Sequence, residues 1–371
     1  MGELKIVENA DWNIEIGALS VLSSKHIENT PALLFDRIKD YPAGYRILVG
    51  FFESLRRSAL TTNLPVDITR EGFIEACRRR LATNFSIPPV TVSRGPILEN
   101  VYQGDDIDLF KFPVPFWHKR DGGRYIGTGH VIITRDPDDG WVNVGCYRVM
   151  VHDCNTLGMN ISPGKHGRMH RAKYFEKGKP CPVVACFGVD PLLHMIATRP
   201  EPYGKCEFDA VGGIKGEPVE VIEGEITGLP IPAYAEIAVD AEILPDQGKE
   251  EGPFSEWTGY YASGEKTEPV IKSPPSLSSQ RSNHHRLAGV SPHRAGRALL
   301  RIAARRIHSG PGGKSRRAGR ERRRKLLPSL LNRHLDQAAL PRSCAPGCTY
   351  RQSVARGRLS RPLRCRRGRR H

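Results

Sequence analysis

Between Lys272 and Ser273 the chain changes composition abruptly, and that boundary limits what it can fold into. Residues 1–272 carry 30 Lys and Arg against 38 Asp and Glu, whereas the last 99 residues carry 26 against 2. The net charge of +16 therefore belongs wholly to the second segment, where 24 of the 26 cations are Arg and a single Tyr is the only aromatic residue. Such a stretch cannot bury enough apolar surface to offset the entropy of ordering it. Residues 273–371 are expected to be a disordered tail. The preceding 272 residues hold all four Trp and every Phe, enough for one sizeable core or two ordinary domains.

No apolar run approaches the roughly 20 residues that span a bilayer, and the opening MGELKIVENADW has no charged head followed by a long apolar stretch. A cytoplasmic protein without a membrane span is the expectation. The six cysteines of the body, Cys77, Cys146, Cys154, Cys181, Cys186 and Cys206, show no C-x-x-C spacing. That argues for reduced thiols in the core, not a disulfide framework or a structural zinc site.

Hydrophobic periodicity divides the body into strands and helices. Ala32 to Phe35 and Tyr45 to Phe52 flank the turn-rich DYPAG and read as two strands. After Thr69, the spacing of Phe73, Cys77 and Leu81 gives a helix, with Arg78 to Arg80 mostly on its solvated face. Val131 to Thr134 and Trp141 to Val151, joined by Asp-Pro-Asp-Asp-Gly, form a hairpin signal. A helix is expected from near His166 to Glu176. In Ile237 to Ile243 the residues Ile237, Val239, Ala241 and Ile243 alternate with Glu236, Ala238, Asp240 and Glu242, as in a strand with one apolar face. No internal repeat is present. The body is thus a mixed α/β fold with a partly antiparallel central sheet.

Four short segments could carry chemistry. Glu251-Gly252-Pro253-Phe254-Ser255-Glu256 places two carboxylates around a Gly-Pro turn, although acids around such loops are commonly just solvated. In Asn143-Val144-Gly145-Cys146-Tyr147-Arg148, strict alternation puts Asn143 and Arg148 on opposite faces; one shared site needs a break in register, with Gly145 the place for a bulge. Ile161-Ser162-Pro163-Gly164-Lys165-His166 feeds a helix on which His170 follows one turn later. That His pair lacks the Glu of the metalloprotease motif and any thiolate partner. Glu207, in CEFDAVGG, reads on its own as a surface acid of a helix.

Taken in order along the chain, PALLFDRIKDYP, NVGCYR, ISPGKH, CEFDAVGG with GEPVEV, and EGPFSEWTGY resemble the UbiD family of decarboxylases, over about residues 12–272. The resemblance implies an N-terminal α/β region over 1–115 and a split β-barrel flavin-binding domain over 116–272. It also implies reversible, non-oxidative decarboxylation of an aromatic or α,β-unsaturated carboxylic acid through a covalent adduct with prenylated FMN. By the same resemblance, Asn143, His166 and Glu207 bind Mn²⁺ or Mg²⁺ beside the flavin phosphate, with a potassium ion nearby. Two oxygen donors and one imidazole suit such a cation. Arg148, Glu251 and Glu256 match the family's catalytic Glu-Arg-Glu network, with Glu256 as proton donor. Cofactor contacts are implied at Asn143, Cys146, Tyr147, Arg148, Lys165, His166, Thr198, Arg199 and Glu207. A flavin prenyltransferase of the UbiX type would supply the cofactor, and family members form homo-oligomers.

The resemblance ends at Lys272, where the family's C-terminal part would follow. An Arg-rich, acid-poor composition is what a GC-rich gene gives when translated out of frame, so the tail reads as frameshifted. Two other readings stay open: a catalytically impaired, truncated homologue, and a tail that binds nucleic acid through clusters such as Arg322 to Lys325. With Tyr350 alone available for stacking, such binding would be nonspecific.

Overall fold

The computed structural model describes residues 2–26, 30–82, 86–199, 201–256, 259–272 and 286–289. In the N-terminal region β1 (Leu4–Glu8), α1 (Glu15–His26), β2 (Ala32–Asp36) and β3 (Ile47–Val49) precede α2 (Leu55–Thr61) and α3 (Arg70–Ala82). Strands β1 and β2 pair in parallel across α1, and β2 pairs with β3 antiparallel. On α3, Arg78 and Arg79 are exposed as expected, while Arg80 turns back to the Thr62 carbonyl.

The rest of the body contains β4 (Val90–Thr91), β5 (Asn100–Tyr102), β6 (Arg124–Gly127), β7 (His130–Arg135), β8 (Val142–Gly145), β9 (Val149–Asp153) and β10 (Thr156–Met159). Then come α4 (His166–Glu176), β11 (Cys181–Phe187), α5 (Pro191–Ala197), α6 (Glu207–Lys215), β12 (Glu220–Glu223), β13 (Pro230–Pro232), β14 (Ile237–Glu251), β15 (Lys266–Lys272) and β16 (Arg286–Gly289). Eight strands follow the order β6-β9-β10-β15-β14-β11-β7-β8 in an open sheet curled as a half-barrel. Its pairings are antiparallel throughout. Arg124 ties the N-terminal region to this sheet: its guanidinium lies 4.0 Å from the Trp12 ring and donates to the Val114 carbonyl at 2.6 Å.

Both faces of the sheet are covered. Val131, Ile133, Val184, Cys186 and Ala238 pack with Leu192, Ile196 of α5 and Phe208, Val211 of α6. Ile132, Val183, Ala185, Val239, Ala241 and Ile243 pack on the other side with Leu157 and Ile271. Double burial explains why β7 and β11 read as continuous apolar runs. It also corrects the one-faced reading of Ile237 to Ile243. Ala238 belongs to the core with α5 and α6, opposite to Val239 and Ala241, and Asp240, 1% exposed, accepts from the Ile226 N–H at 2.9 Å and from the Thr227 hydroxyl.

A second correction concerns Trp141 to Val151, which is two strands. Instead of a bulge at Gly145, β8 ends there and β9 begins at Val149 beside new partners, β6 and β10. The intervening backbone finds bonds elsewhere, as buried backbone must: Cys146 N–H donates to Ala197 O at 3.2 Å, and Asn160 N–H to Arg148 O at 3.2 Å. Within the Arg-rich tail, Arg286–Gly289 forms a strand between β14 and β5, a local departure from the expected absence of structure. The remainder, 273–285 and 290–371, on which the expectations of disorder and nucleic-acid binding fall, lies outside the described residues.

Candidate active site

The end of β14 brings Glu251 into the interior, where it is 0% exposed. Gly252 follows at φ +93°, a conformation that favours glycine, and the chain turns through a cis bond to Pro253. This loop rests on 118–122: Gly122 N–H donates to Pro253 O at 2.8 Å, and Ser255 N–H donates to the Asp121 carboxylate at 3.0 Å. A Cβ on Gly122 would stand 1.9 Å from the Gly252 carbonyl oxygen, so no larger residue fits beneath the turn.

Arg148 enters from the loop after β8. Its Nε and one terminal nitrogen each donate to Glu251 at 2.8 Å, and its other terminal nitrogen donates to Glu256 Oε1 at 2.8 Å. One guanidinium therefore spans both acids, the planar fork matching a carboxylate in a way Lys cannot. Burial works against the Arg148 charge, but the bonds and charges of its partners, Glu251 first, outweigh it and raise its pKa. Glu251 receives two further bonds, from Asn160 Nδ2 at 3.0 Å and from the Tyr125 hydroxyl at 3.0 Å. Burial and the Glu251 charge push the Tyr125 phenol well up, so it serves as a donor. Glu256 differs, with a side chain 33% exposed and Arg148 as its bonded partner.

Asn143, His166 and Glu207 come from β8, the first turn of α4 and the first turn of α6. Glu207 is not a surface acid; it is 2% exposed and accepts from the Val144 N–H at 2.7 Å, one residue from Asn143. Asn143 Nδ2 donates to the Tyr147 hydroxyl at 3.3 Å, which leaves the amide oxygen directed away from that bond. The same hydroxyl accepts from the Gly167 N–H at 3.2 Å, next to His166. Tyr147 thereby links β8 to α4. Its ring folds back over Gly145, where a Cβ would stand 2.2 Å from the Tyr147 oxygen. The loop Cys146–Arg148 thus serves two groups, Tyr147 turning toward Asn143 and Gly167, Arg148 toward the two acids.

Burial pushes Glu207 up to about 7 against the pull of the Val144 N–H, and among the described residues no cation forms a salt bridge with it. A buried carboxylate without a counter-charge, an amide oxygen and an imidazole are donors that fit Mn²⁺ or Mg²⁺. Among the described residues no group of three or more His, Cys, Asp and Glu could hold a metal, and the expected set contains only two residues of those types. His170, the second member of the His pair, is fully buried and turns to the Thr134 hydroxyl at 3.0 Å and toward Asp136.

The other expected cofactor contacts vary. Lys165 is exposed at the start of α4. Burial pushes the Cys146 thiol up to about 11, which favours its protonated form. Thr198 is exposed and donates its hydroxyl to Met195 O at 2.8 Å, while Arg199 is held by Glu201. The sequence reading missed Tyr125, Asn160 and Asp121, which sit far from any motif. It also missed His130, buried and pushed down to about 3, whose neutral ring lies 2.6 Å from the Tyr147 carbonyl.

Comparison with known proteins then identifies the class. Two family models match: the 3-octaprenyl-4-hydroxybenzoate carboxy-lyase N-terminal domain over residues 1–76 and its Rift-related domain over residues 89–273. The chain belongs to the UbiD family. It is similar to pyrrole-2-carboxylic acid decarboxylase of Pseudomonas aeruginosa, 35% identical over 70% of this chain and 53% of that protein. It is also similar to a phenolic acid decarboxylase of a Streptomyces species, 30% identical over 72% of this chain and 57% of that protein. The chain spans about half the length of the curated relatives it matches. Among solved structures, the vanillic acid decarboxylase of Sedimentibacter hydroxybenzoicus in closed form shares the fold with a TM-score of 0.71 at 27% identity, over 78% of this chain and 60% of that one. An evolved dimeric form of the UbiD-class enzyme HmfF from Pelotomaculum thermopropionicum, solved in complex with prFMN, gives 0.67 at 27% identity, over 78% and 63%. In these matches the curled sheet and mixed α/β architecture agree with the expected fold.

Proposed function

We propose that the chain is a carboxy-lyase that removes CO₂, reversibly and without oxidation, from an aromatic or α,β-unsaturated carboxylic acid with the help of prenylated FMN. The observation that carries this reading is Arg148 bonded at once to the buried Glu251 and to the more open Glu256. When bound, the modified flavin supplies an electron sink for the pair left on carbon as CO₂ departs. Arg148, fixed by Glu251, keeps a positive charge beside the flavin site and positions Glu256. Glu251 is saturated by donors from Arg148, Asn160 and Tyr125 and has no place for a proton in transit. Glu256, with its greater exposure, carries the proton that replaces the carboxylate. Asn143, His166 and Glu207 would hold Mn²⁺ or Mg²⁺ against the cofactor phosphate, with Lys165, Thr198 and Arg199 at its margin. A flavin prenyltransferase of the UbiX type would be the supplier, and a homo-oligomer the working form. The names of the relatives favour aromatic acids.

The test is turnover in D₂O with the chain co-expressed with a flavin prenyltransferase, using pyrrole-2-carboxylate and phenolic acids as substrates. One deuterium at the carbon that lost CO₂ is expected, abolished in Glu256→Gln. Undiminished deuteration in that variant would remove Glu256 from the role.

A further inference from the structure

His166 is the one expected cation donor whose imidazole has no hydrogen bond among the described residues. Metal-binding imidazoles are ordinarily set by a bond from the second ring nitrogen to a carboxylate, carbonyl or water. Here, ring packing takes that place. The Trp141 indole meets the His166 ring edge-on, with centroids 4.8 Å apart and planes at 70°, and Tyr203 stands 6.0 Å away at 87°. Trp141 and Tyr203 also pack on each other at 4.6 Å.

The pair is anchored from below. Asp136, 1% exposed, accepts from the Tyr203 hydroxyl at 3.1 Å and from Lys173 Nζ at 2.7 Å. Its backbone N–H donates to the Trp141 carbonyl at 2.8 Å, which fixes the start of β8. His170 closes the far side, 5.0 Å from the indole at 86°. A single buried residue, Asp136, therefore ties both aromatic residues that flank His166, Tyr203 through its carboxylate and Trp141 through its backbone N–H. Tyr203 is itself 51% exposed.

We propose that Trp141 and Tyr203, clamped by Asp136, are positioning residues that pre-set the His166 imidazole for a divalent cation. The proposal rests on the reading of Asn143, His166 and Glu207 as a cation site. Tyr147 sets Asn143 and the Val144 N–H sets Glu207, so each of the three donors has its own orienting partner.

The experiment is titration of the purified full chain with Mn²⁺ in the presence of FMN. Affinity is read from the loss of the free-ion EPR signal, and imidazole ligation from ¹⁴N modulation in the pulsed spectrum. In Trp141→Ala and Tyr203→Ala the affinity is expected to fall by about 10- to 100-fold, the range found when an outer partner of a metal ligand is removed. The ¹⁴N modulation should weaken with it. Trp141→Phe, which keeps a ring against His166, should recover most of both signals; a change due to the fold alone would not follow the ring in this way. Tyr203 is half-exposed, so its variant carries the test if Trp141→Ala does not fold. Parent-like affinity with full ¹⁴N modulation in both Ala variants overturns the positioning role. Parent-like binding in His166→Ala, or no binding by the parent, instead overturns the cation-site reading on which the proposal rests.

Discussion

Replacing Tyr125 by Phe removes one hydroxyl and leaves the ring. The ring is fully buried against Phe254, with centroids 4.3 Å apart, and Phe retains that contact, so the cavity cost is small. What disappears is a 3.0 Å bond to a carboxylate with no exposure to water. A bond to a charged group contributes about 1.5–3 kcal/mol, and water cannot replace it at this depth. In a body of this size each kcal/mol moves the melting temperature by about 2–4 °C, so a drop of about 3–12 °C is expected. The assay is urea unfolding of the parent, Tyr125→Phe, Glu251→Gln and the double variant at pH 7. Glu251→Gln alone should cost about 3–5 kcal/mol, because it takes the buried anion from the Arg148 guanidinium and leaves it only the more open Glu256. The coupling between the two sites should be about 1.5 kcal/mol or more. A coupling below about 0.5 kcal/mol would refute the picture of Glu251 as a carboxylate secured by convergent donors.

Other consequences follow from the same contacts. Arg148→Lys should lose at least about 100-fold in turnover, since an ammonium cannot fork to Glu251 while reaching Glu256; activity within threefold of the parent would contradict this. Gly145→Ala should destabilise by about 1–3 kcal/mol through overpacking, because the new Cβ would fall 2.2 Å from the Tyr147 oxygen; calorimetry would measure it, and an unchanged melting temperature would count against the folded-back Tyr147. Burial works to raise Asp136, yet the bonds from Lys173, the Asp138 N–H and Tyr203 outweigh it and hold the carboxyl down to about 2. Its contribution, about 2 kcal/mol by linkage, is present above the unfolded value near 3.8 and is lost as the pH falls through about 2. Asp136→Asn should therefore destabilise at pH 7 and flatten the acid limb of the stability curve; a parent-like acid limb would be the contrary result.

Much of this arrangement was legible in the sequence, for identifiable reasons. The helix from His166 to Glu176 and the hairpin into Trp141 announced themselves through local turn chemistry and periodicity, which a short window contains. The Arg148, Glu251 and Glu256 trio was legible only through the resemblance, since its members lie up to 108 residues apart. Tyr125 and Asn160 had no signal at all. Each stands in an ordinary strand-like or loop context, and their importance comes from where the curled sheet delivers a hydroxyl and an amide. Asp240 misled for a related reason: an acid in an alternating run suggests a wet face, and only the loop after β12, which brings the Ile226 N–H and the Thr227 hydroxyl against it, makes it a buried acceptor. Trp141 to Val151 looked like one strand because composition does not record where β8 gives up its partner and β9 takes another.

We propose that one site in this chain takes a flavin phosphate, a divalent cation and a proton carried by the Glu251, Arg148 and Glu256 group. The most direct test is to co-express the full chain with a flavin prenyltransferase, purify it, and record the absorbance spectrum and metal content of the same sample. The account predicts a bound modified flavin with close to one Mn²⁺ per chain, both lost in His166→Ala and Glu207→Ala. A folded, colourless protein that retains neither flavin nor Mn²⁺ would contradict it.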